Sequence, residues 1–229
     1  MEPIARIYTP YPEKFGIPRQ SGLISEVRSR IVFEEPYRVP EALRGLEGFS
    51  HLWLIWEFSE ARRADWSPTV KPPRLGGNKR VGVFATRSPF RPNPIGLSCV
   101  RLLSIETNTP QGPVIEVGGA DLLNETPIYD IKPYLPYADC HPEATDGFTG
   151  EVDFPRLKVE IGDDLLARLP EEMRAAALSV IEQDPRPAYK RGDESRTWGV
   201  SFGGWNLRFT VSDGIARVTD VAPIETRGA

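Results

Sequence analysis

SHLWLIWEF, residues 50–58, decides how the chain is read. In an extended strand Leu52, Leu54, Trp56 and Phe58 share one face, and His51, Trp53, Ile55 and Glu57 share the other. Both faces carry bulk, so the spacing predicts a central strand, and the polar pair His51 and Glu57 needs partners or a cavity. Outward from it, residues 22–33 (GLISEVRSRIVF), 81–86 (VGVFAT), 95–106 (IGLSCVRLLSIE) and 113–119 (PVIEVGG) repeat the texture. All are rich in β-branched or aromatic residues and bounded by Gly or Pro, the pattern of a mainly β fold. A short helix is expected over 40–46, opened by Pro40. Residues 60–80 read as a long connection; loops beyond about 12–15 residues in compact domains are commonly functional or disordered, and this one is read as functional.

At residues 138–155 the sequence turns small, acidic and polar, as at a domain boundary. The strand LKVEI follows, then a helical turn that Asp163 can cap and a helix opened by Pro170. In that helix Met173, Ala177, Val180 and Ile181 fall at helical spacing. Three strands close the chain, 197–202, 205–212 and 215–221, joined by the hairpin dipeptides Gly203-Gly204 and Asp213-Gly214. The organisation expected is a β domain over 1–140, a linker over 141–155 and a small α+β domain over 156–229.

The 229 residues include two cysteines, Cys99 and Cys140, too few for a disulfide framework. No apolar run reaches membrane-spanning length, and MEPIARIYTPYPEKFG lacks the apolar core of a signal peptide, so a cytoplasmic protein with no membrane role is expected. With His51 and His141 the only histidines, no metal site is expected. RLGGNKR lacks phosphate-loop spacing, no G-x-G-x-x-G follows a strand, and no G-x-S-x-G elbow exists.

Net charge is only −4, but its distribution is uneven. Between Trp66 and Ile105 there is no Asp or Glu, while Lys71, Arg74, Lys79, Arg80, Arg87, Arg91 and Arg101 are all basic. Charged runs are usually solvated faces, but those mix signs. An acid-free cationic block on an acidic chain focuses positive potential, as suits a polyanion.

Within that block ATRSPFRPNPIGLS (85–98) sets three prolines among two arginines and Asn93. Proline fixes its own φ and biases the residue before it, so 88–94 is expected to be a rigid, extended ribbon without hydrogen bonds. A preset backbone lowers the entropy lost when Arg87 and Arg91 grip a phosphate, carboxylate or base edge. Downstream, GGADLLNETPIYDIKPYLPYAD (118–139) interleaves Asp121, Asp130 and Lys132 with Tyr129, Tyr134 and Tyr137. Carboxylates beside tyrosines suit an amino-acid-like or adenosine-like ligand, although an Asp130–Lys132 surface ion pair explains part of the pattern equally well.

FGIPRQ (15–20), GLEGFSHLWLIWEF (45–58), the run from Lys71 to Ser98, DIKPYLPYAD (130–139) and QDPRPAYKRG (183–192) together resemble the tRNA-methyltransferase O (TrmO) family. The resemblance implies a single β-barrel, not a Rossmann-type fold, over about 1–140, with the α+β domain as a tRNA-binding aid. It implies a homodimer, S-adenosylmethionine as cofactor, and a tRNA substrate carrying N6-threonylcarbamoyladenosine beside the anticodon. It carries cofactor contacts onto Pro18, Arg19, Gln20, Ser59, Glu60, Arg87, Leu97, Gly118, Gly119, Ala120 and Asp121.

The acceptor N6 is a poor nucleophile because its lone pair is delocalised into a carbonyl, which also acidifies its N–H. A base, or a cation stabilising the anion, would help. Asp130, Tyr134 and His51 are the candidate bases, with Arg87 or Lys132 supporting the developing charge. Arg91 is assigned to the threonyl carboxylate, Asn93 to the modified adenosine, and Lys79, Arg80, Arg186, Lys190 and Arg191 to RNA phosphates. The alternative is a non-catalytic RNA-binding module.

Overall fold

A computed structural model describes residues 1–61, 65–72, 79–150 and 155–224. Arg74 of the cationic block lies outside the described residues. The chain divides into two units, each drawing on discontinuous sequence. The first comprises 1–8, 30–117 and 125–154; the second comprises 9–29, 118–124 and 155–229.

The first unit is built on a closed six-stranded barrel of β1 (Ala5–Tyr8), β2 (Arg28–Phe33), β3 (His51–Glu57), β6 (Ile95–Glu106), β7 (Val114–Gly118) and β8 (Thr126–Pro133). Its order is β1-β2-β7-β6-β3-β8, so β3 sits between β6 and β8, the central place its two bulky faces require. Leu52 and Leu54 are fully buried and Trp56 nearly so, facing inward against Ser98 and Val100 of β6. A separate ribbon pairs β4 (Thr69–Val70) with β5 (Val81–Gly82).

The second unit carries the sheet β10-β11-β12-β9, formed by β9 (Lys158–Glu160), β10 (Trp198–Phe202), β11 (Trp205–Ser212) and β12 (Ile215–Pro223). Gly203 and Gly204 both have positive φ, as do Asp213 and Gly214, the backbone signature of type I′ hairpin turns. A helix, Glu171–Glu182, buries Ala177, Val180 and Ile181 in a core shared with Phe202, Leu207 and Phe209. Tyr11, Ile24 and Val27 join the same core, and the Gly203 amide donates to the Pro10 carbonyl at 2.7 Å.

Four local expectations are corrected. Residues 22–27 are not strand: Ile24 and Val27 turn into the second unit's core at i,i+3 spacing, closed by a Val27 N–H bond to the Ile24 carbonyl. The helix over 40–46 is two short 3-10 turns, because Gly45 at φ +86° breaks it. The strand over 81–86 stops at Gly82 and becomes a 3-10 turn over Val83–Ala85. Asp163 is the first helical residue rather than the cap, which is Gly162, and it makes no side-chain cap hydrogen bond.

The 88–94 ribbon is bent rather than extended. The Arg91 amide donates to the Pro89 carbonyl at 2.9 Å, and the Ile95 amide to the Asn93 carbonyl at 2.8 Å. Each is a three-residue turn, formed where a non-proline N–H finds the nearest carbonyl two residues back. The prolines therefore fix a compact bend.

Candidate active site

The outer face of the barrel brings together residues far apart in sequence. On β6, β3 and β8, one rung aligns Leu97, Ile55 and Asp130; the next aligns Cys99, Trp53 and Lys132. A further rung pairs Arg101 with His51, and the Tyr134 amide donates to the His51 carbonyl at 2.9 Å. Leu97, Asp130, Lys132, His51 and Tyr134, predicted separately, thus occupy one surface. Leu97 is 51% exposed there, unusual for a strand leucine and fit for an apolar contact.

Asp130 and Lys132 form an ion pair at 2.8 Å, and Asp130 Oδ1 also accepts the Ile131 amide at 2.9 Å. Both side chains are largely solvent-exposed, so the pair contributes little to stability. His51 Nδ1 lies 2.9 Å from the Ser50 hydroxyl, and its ring meets Tyr134 edge-on at 6.2 Å. Desolvation first, then the Cys140 thiol and the charge of Asp139, hold the Tyr134 phenol above its ordinary range. A phenol so held keeps its proton and serves better as a hydrogen-bond donor than as a base.

Asp139 was not singled out by sequence, yet it braces this surface. Its Oδ2 accepts the Leu135 amide at 2.7 Å and the Trp53 indole N–H at 3.0 Å, and these bonds hold its carboxyl below the usual range. The bond to Trp53 ties the turn after β8 to β3 and sets Tyr134 5.8 Å from the Trp53 ring. Desolvation, with the Asp139 charge second, pushes the Cys99 thiol up.

At the end of β3 lies a cleft of about 260 Å³ lined by Glu57, Ala61, Asp65 and the bend's Pro89, Phe90, Arg91, Pro92 and Pro94. Glu57, 5% exposed, receives the Tyr129 hydroxyl as well as this cleft, which resolves the need for a partner. A register shift at Ile55/Trp56 interrupts β8 pairing there, as bulges do where a side chain is re-aimed. Arg91 Nη1 donates to the Thr86 carbonyl at 2.6 Å and to the Val83 carbonyl at 3.2 Å, fixing the guanidinium in the cleft wall. Ser59 and Glu60 occupy an exposed 3-10 turn just beyond β3; Arg87 and Asn93 are also exposed.

Within the second unit the stretch just after PRQ meets the GGAD segment. The Gly22 amide donates to the Gly119 carbonyl at 2.8 Å, and the Gly119 amide to the Val27 carbonyl at 2.9 Å. Gly118, Gly119 and Ala120 are buried, Pro18 is buried, and Arg19, Gln20 and Asp121 are half-buried. Burial, with the Asp121 charge second, pushes the phenol of fully buried Tyr11 strongly up, which places the Asp121 carboxylate near it. Within this unit Arg19 and Asp121 fit the charged groups of S-adenosylmethionine: an arginine suits its carboxylate, and Asp121 its ammonium or ribose hydroxyls.

The C-terminal cations divide. Arg186 is 5% exposed and grips Asp184 with two bonds, Nε to Oδ1 at 2.7 Å and Nη2 to Oδ2 at 3.1 Å, so its charge is met inside the fold. Arg191 Nε lies 3.0 Å from the same carboxylate, off hydrogen-bond direction but within ion-pair reach. Lys190 stands 5.6 Å from the ring centre of exposed Tyr189. Lys79 and Arg80 are exposed, with Arg80 held to Thr69 by bonds at 2.7 and 3.0 Å. Among the described residues no His, Cys, Asp or Glu group is placed to hold a metal, and no helix is long and apolar enough to cross a membrane.

Known proteins share this arrangement along the chain. It is 42% identical over 220 residues to an Escherichia coli K12 protein named tRNA (adenine(37)-N6)-methyltransferase, covering 93% of each chain. It is 40% identical over 214 residues to a Pseudomonas aeruginosa protein named putative S-adenosylmethionine-dependent methyltransferase RcsF, covering 90% of this chain and 89% of that one. The crystal structure of TrmO from Pseudomonas aeruginosa superposes with a TM-score of 0.76 at 33% identity, covering 96% and 97% of the two chains. The family profile for the tRNA-methyltransferase O N-terminal domain matches residues 6–140 and that for the TrmO C-terminal domain matches 151–224. With barrel, bend and terminal sheet all within those matches, the chain belongs to the tRNA-methyltransferase O family.

Proposed function

We propose that this chain is a tRNA methyltransferase that moves a methyl group from S-adenosylmethionine to N6 of N6-threonylcarbamoyladenosine beside the anticodon. The observation that carries the reading is the barrel face on which Leu97, assigned to the cofactor, shares a rung with Asp130 and neighbours Lys132. The names of the relatives, tRNA (adenine(37)-N6)-methyltransferase above all, support it.

S-adenosylmethionine supplies a methyl group on a positively charged sulfur. The protein's task is then to position acceptor and donor in line. Pro18, Arg19, Gln20, Ser59, Glu60, Arg87, Leu97, Gly118, Gly119, Ala120 and Asp121 contact the cofactor, in a homodimer whose pocket lies near the subunit interface. Arg91 meets the threonyl carboxylate and Asn93 the modified base. Asp130 or His51 takes the N6 proton, with Lys132 beside Asp130 steadying the charge that develops. Lys79, Arg80, Lys190 and Arg191 contact backbone phosphates, Arg186 holds the C-terminal loop that carries two of them, and residues 156–229 aid tRNA binding.

Calorimetric titration of purified protein with S-adenosylmethionine, and with its demethylated product, is expected to give saturable heats. Absence of heat with both would instead favour a non-catalytic RNA-binding module. Gly119→Ala is expected to weaken that binding. Gly119 has φ +76°, where an L-residue costs about 1–2 kcal/mol. Its added Cβ would also stand 3.2 Å from Gly22 Cα, pushing the 18–22 segment away. The same titration on the variant, with a melting curve as control, checks this.

A further inference from the structure

We infer that Trp66 and Phe84 form a stacking platform for an unpaired RNA base. The inference rests on the reading above, and names a contact that reading does not assign. The β4–β5 ribbon pairs Thr69 with Gly82, and the Val83 amide continues the ladder by donating to the Pro68 carbonyl at 3.0 Å. Where the ladder ends, the Trp66 and Phe84 rings lie 6.1 Å apart and within 27° of parallel. Trp66 is 48% exposed and Phe84 is 71% exposed, while their neighbour Val83 is buried. Two large rings held parallel in water at the end of a short ribbon add little to a core.

The ribbon holds these rings in place. The Arg91 guanidinium lies 5.7 Å from the Phe84 ring centre and binds the carbonyls of Val83 and Thr86, which flank Phe84 along the chain. Phe84 therefore has a cation near its ring and the peptide before it tied to the same guanidinium, which lowers the entropy lost when a base stacks on it. Arg80 grips Thr69 on the same ribbon through its side-chain and backbone oxygens.

Chemistry selects RNA over a protein partner. The platform lies in the stretch from Trp66 to Ile105 that holds no carboxylate, and Lys71, Lys79, Arg80 and Arg87 within it are exposed. Exposed aromatics interleaved with cations and free of acids are the composition that binds single-stranded nucleic acid, with phosphates on the cations and bases on the rings. A tRNA anticodon loop presents such unpaired bases.

The test is binding and turnover with an anticodon stem-loop RNA, using Phe84→Leu, Phe84→Tyr and Trp66→Ala. Stacking on an aromatic ring is worth about 1–3 kcal/mol per base, so Phe84→Leu and Trp66→Ala are expected to raise Kd and KM roughly 5- to 150-fold. Their kcat and S-adenosylmethionine affinity stay unchanged. Phe84→Tyr keeps a ring and binds as the parent does. The salt dependence of binding keeps its slope in all three, whereas Arg80→Ala flattens it. Phe84→Leu binding RNA as tightly as the parent would overturn the platform, as would loss of RNA affinity that tracks dissociation of a dimer in size-exclusion runs. RNA binding that needs the rings in a protein that transfers no methyl group would leave the platform standing and remove the methyltransferase reading. Methyl transfer indifferent to the rings would do the reverse.

Discussion

An Asp184→Ala variant is expected to lose about 3–5 kcal/mol of folding stability, the usual result of removing one partner of a buried ion pair. Asp184 is 6% exposed and receives two side-chain hydrogen bonds from Arg186, itself 5% exposed, with Arg191 Nε 3.0 Å away. Its removal strands buried positive charge with no anion. Domains are stable by only about 5–15 kcal/mol, so the loss takes a large share of the total. At about 2–4 °C per kcal/mol for a chain of this size, melting falls by roughly 6–20 °C. The cause can be separated from general damage by adding Arg186→Met. The double variant no longer buries the Arg186 charge, so it is expected to melt above Asp184→Ala, because apolar replacements of buried ion pairs are often neutral. A double variant less stable than the single one would show that the ion pair is not what holds this loop.

The second large effect is in the barrel. A Cβ on Gly96 would stand 2.3 Å from Trp56 Cε2 and within 2.6 Å of two more indole atoms. Trp56 is 6% exposed, and its indole N–H is bonded to the Ser98 hydroxyl at 2.9 Å, so the ring has nowhere to go. Overpacking typically costs about 1–3 kcal/mol, and this contact belongs at the upper end. Gly96→Ala is therefore expected to lower the melting temperature by roughly 6–12 °C. The adjacent Leu97 rung would be displaced as well, so S-adenosylmethionine affinity should fall in the same variant. Thermal denaturation and calorimetry check the two effects separately, and an unchanged melting temperature would mean that Trp56 repacks freely.

Strong local chemistry was legible in the sequence. The dipeptides Gly203-Gly204 and Asp213-Gly214 demand positive φ, and both turns form where they stand. SHLWLIWEF has two bulky faces and sits between two other strands. What failed was set by partners distant in sequence. GLISEV reads as a strand, but Ile24 and Val27 are drawn into a core made by the C-terminal sheet. ARIY, residues 5–8, is too short to announce a strand, yet β2 and β8 pair with it on both sides.

The candidate site divides along the same line. The residue types were readable from composition and resemblance, but their register was not. Period-two alternation places Leu97 and Asp130 on some face of their strands; only the pairing through Ile55 puts them on one rung. Glu57 announced its need for a partner, and the partner, Tyr129, is 72 residues away. Arg186 carried a local signal that composition hid, an aspartate two residues earlier that accepts from its Nε and Nη2.

The most direct test is to incubate purified protein and S-adenosylmethionine with two tRNAs, one carrying threonylcarbamoyl on the adenosine beside the anticodon and one without it. The nucleosides are then digested and weighed by mass spectrometry. The proposed function predicts a threonylcarbamoyladenosine one methyl group heavier from the first tRNA, formed only with S-adenosylmethionine, and no methylated adenosine from the second. Methylation of both tRNAs, or of neither while the protein binds them, would contradict it.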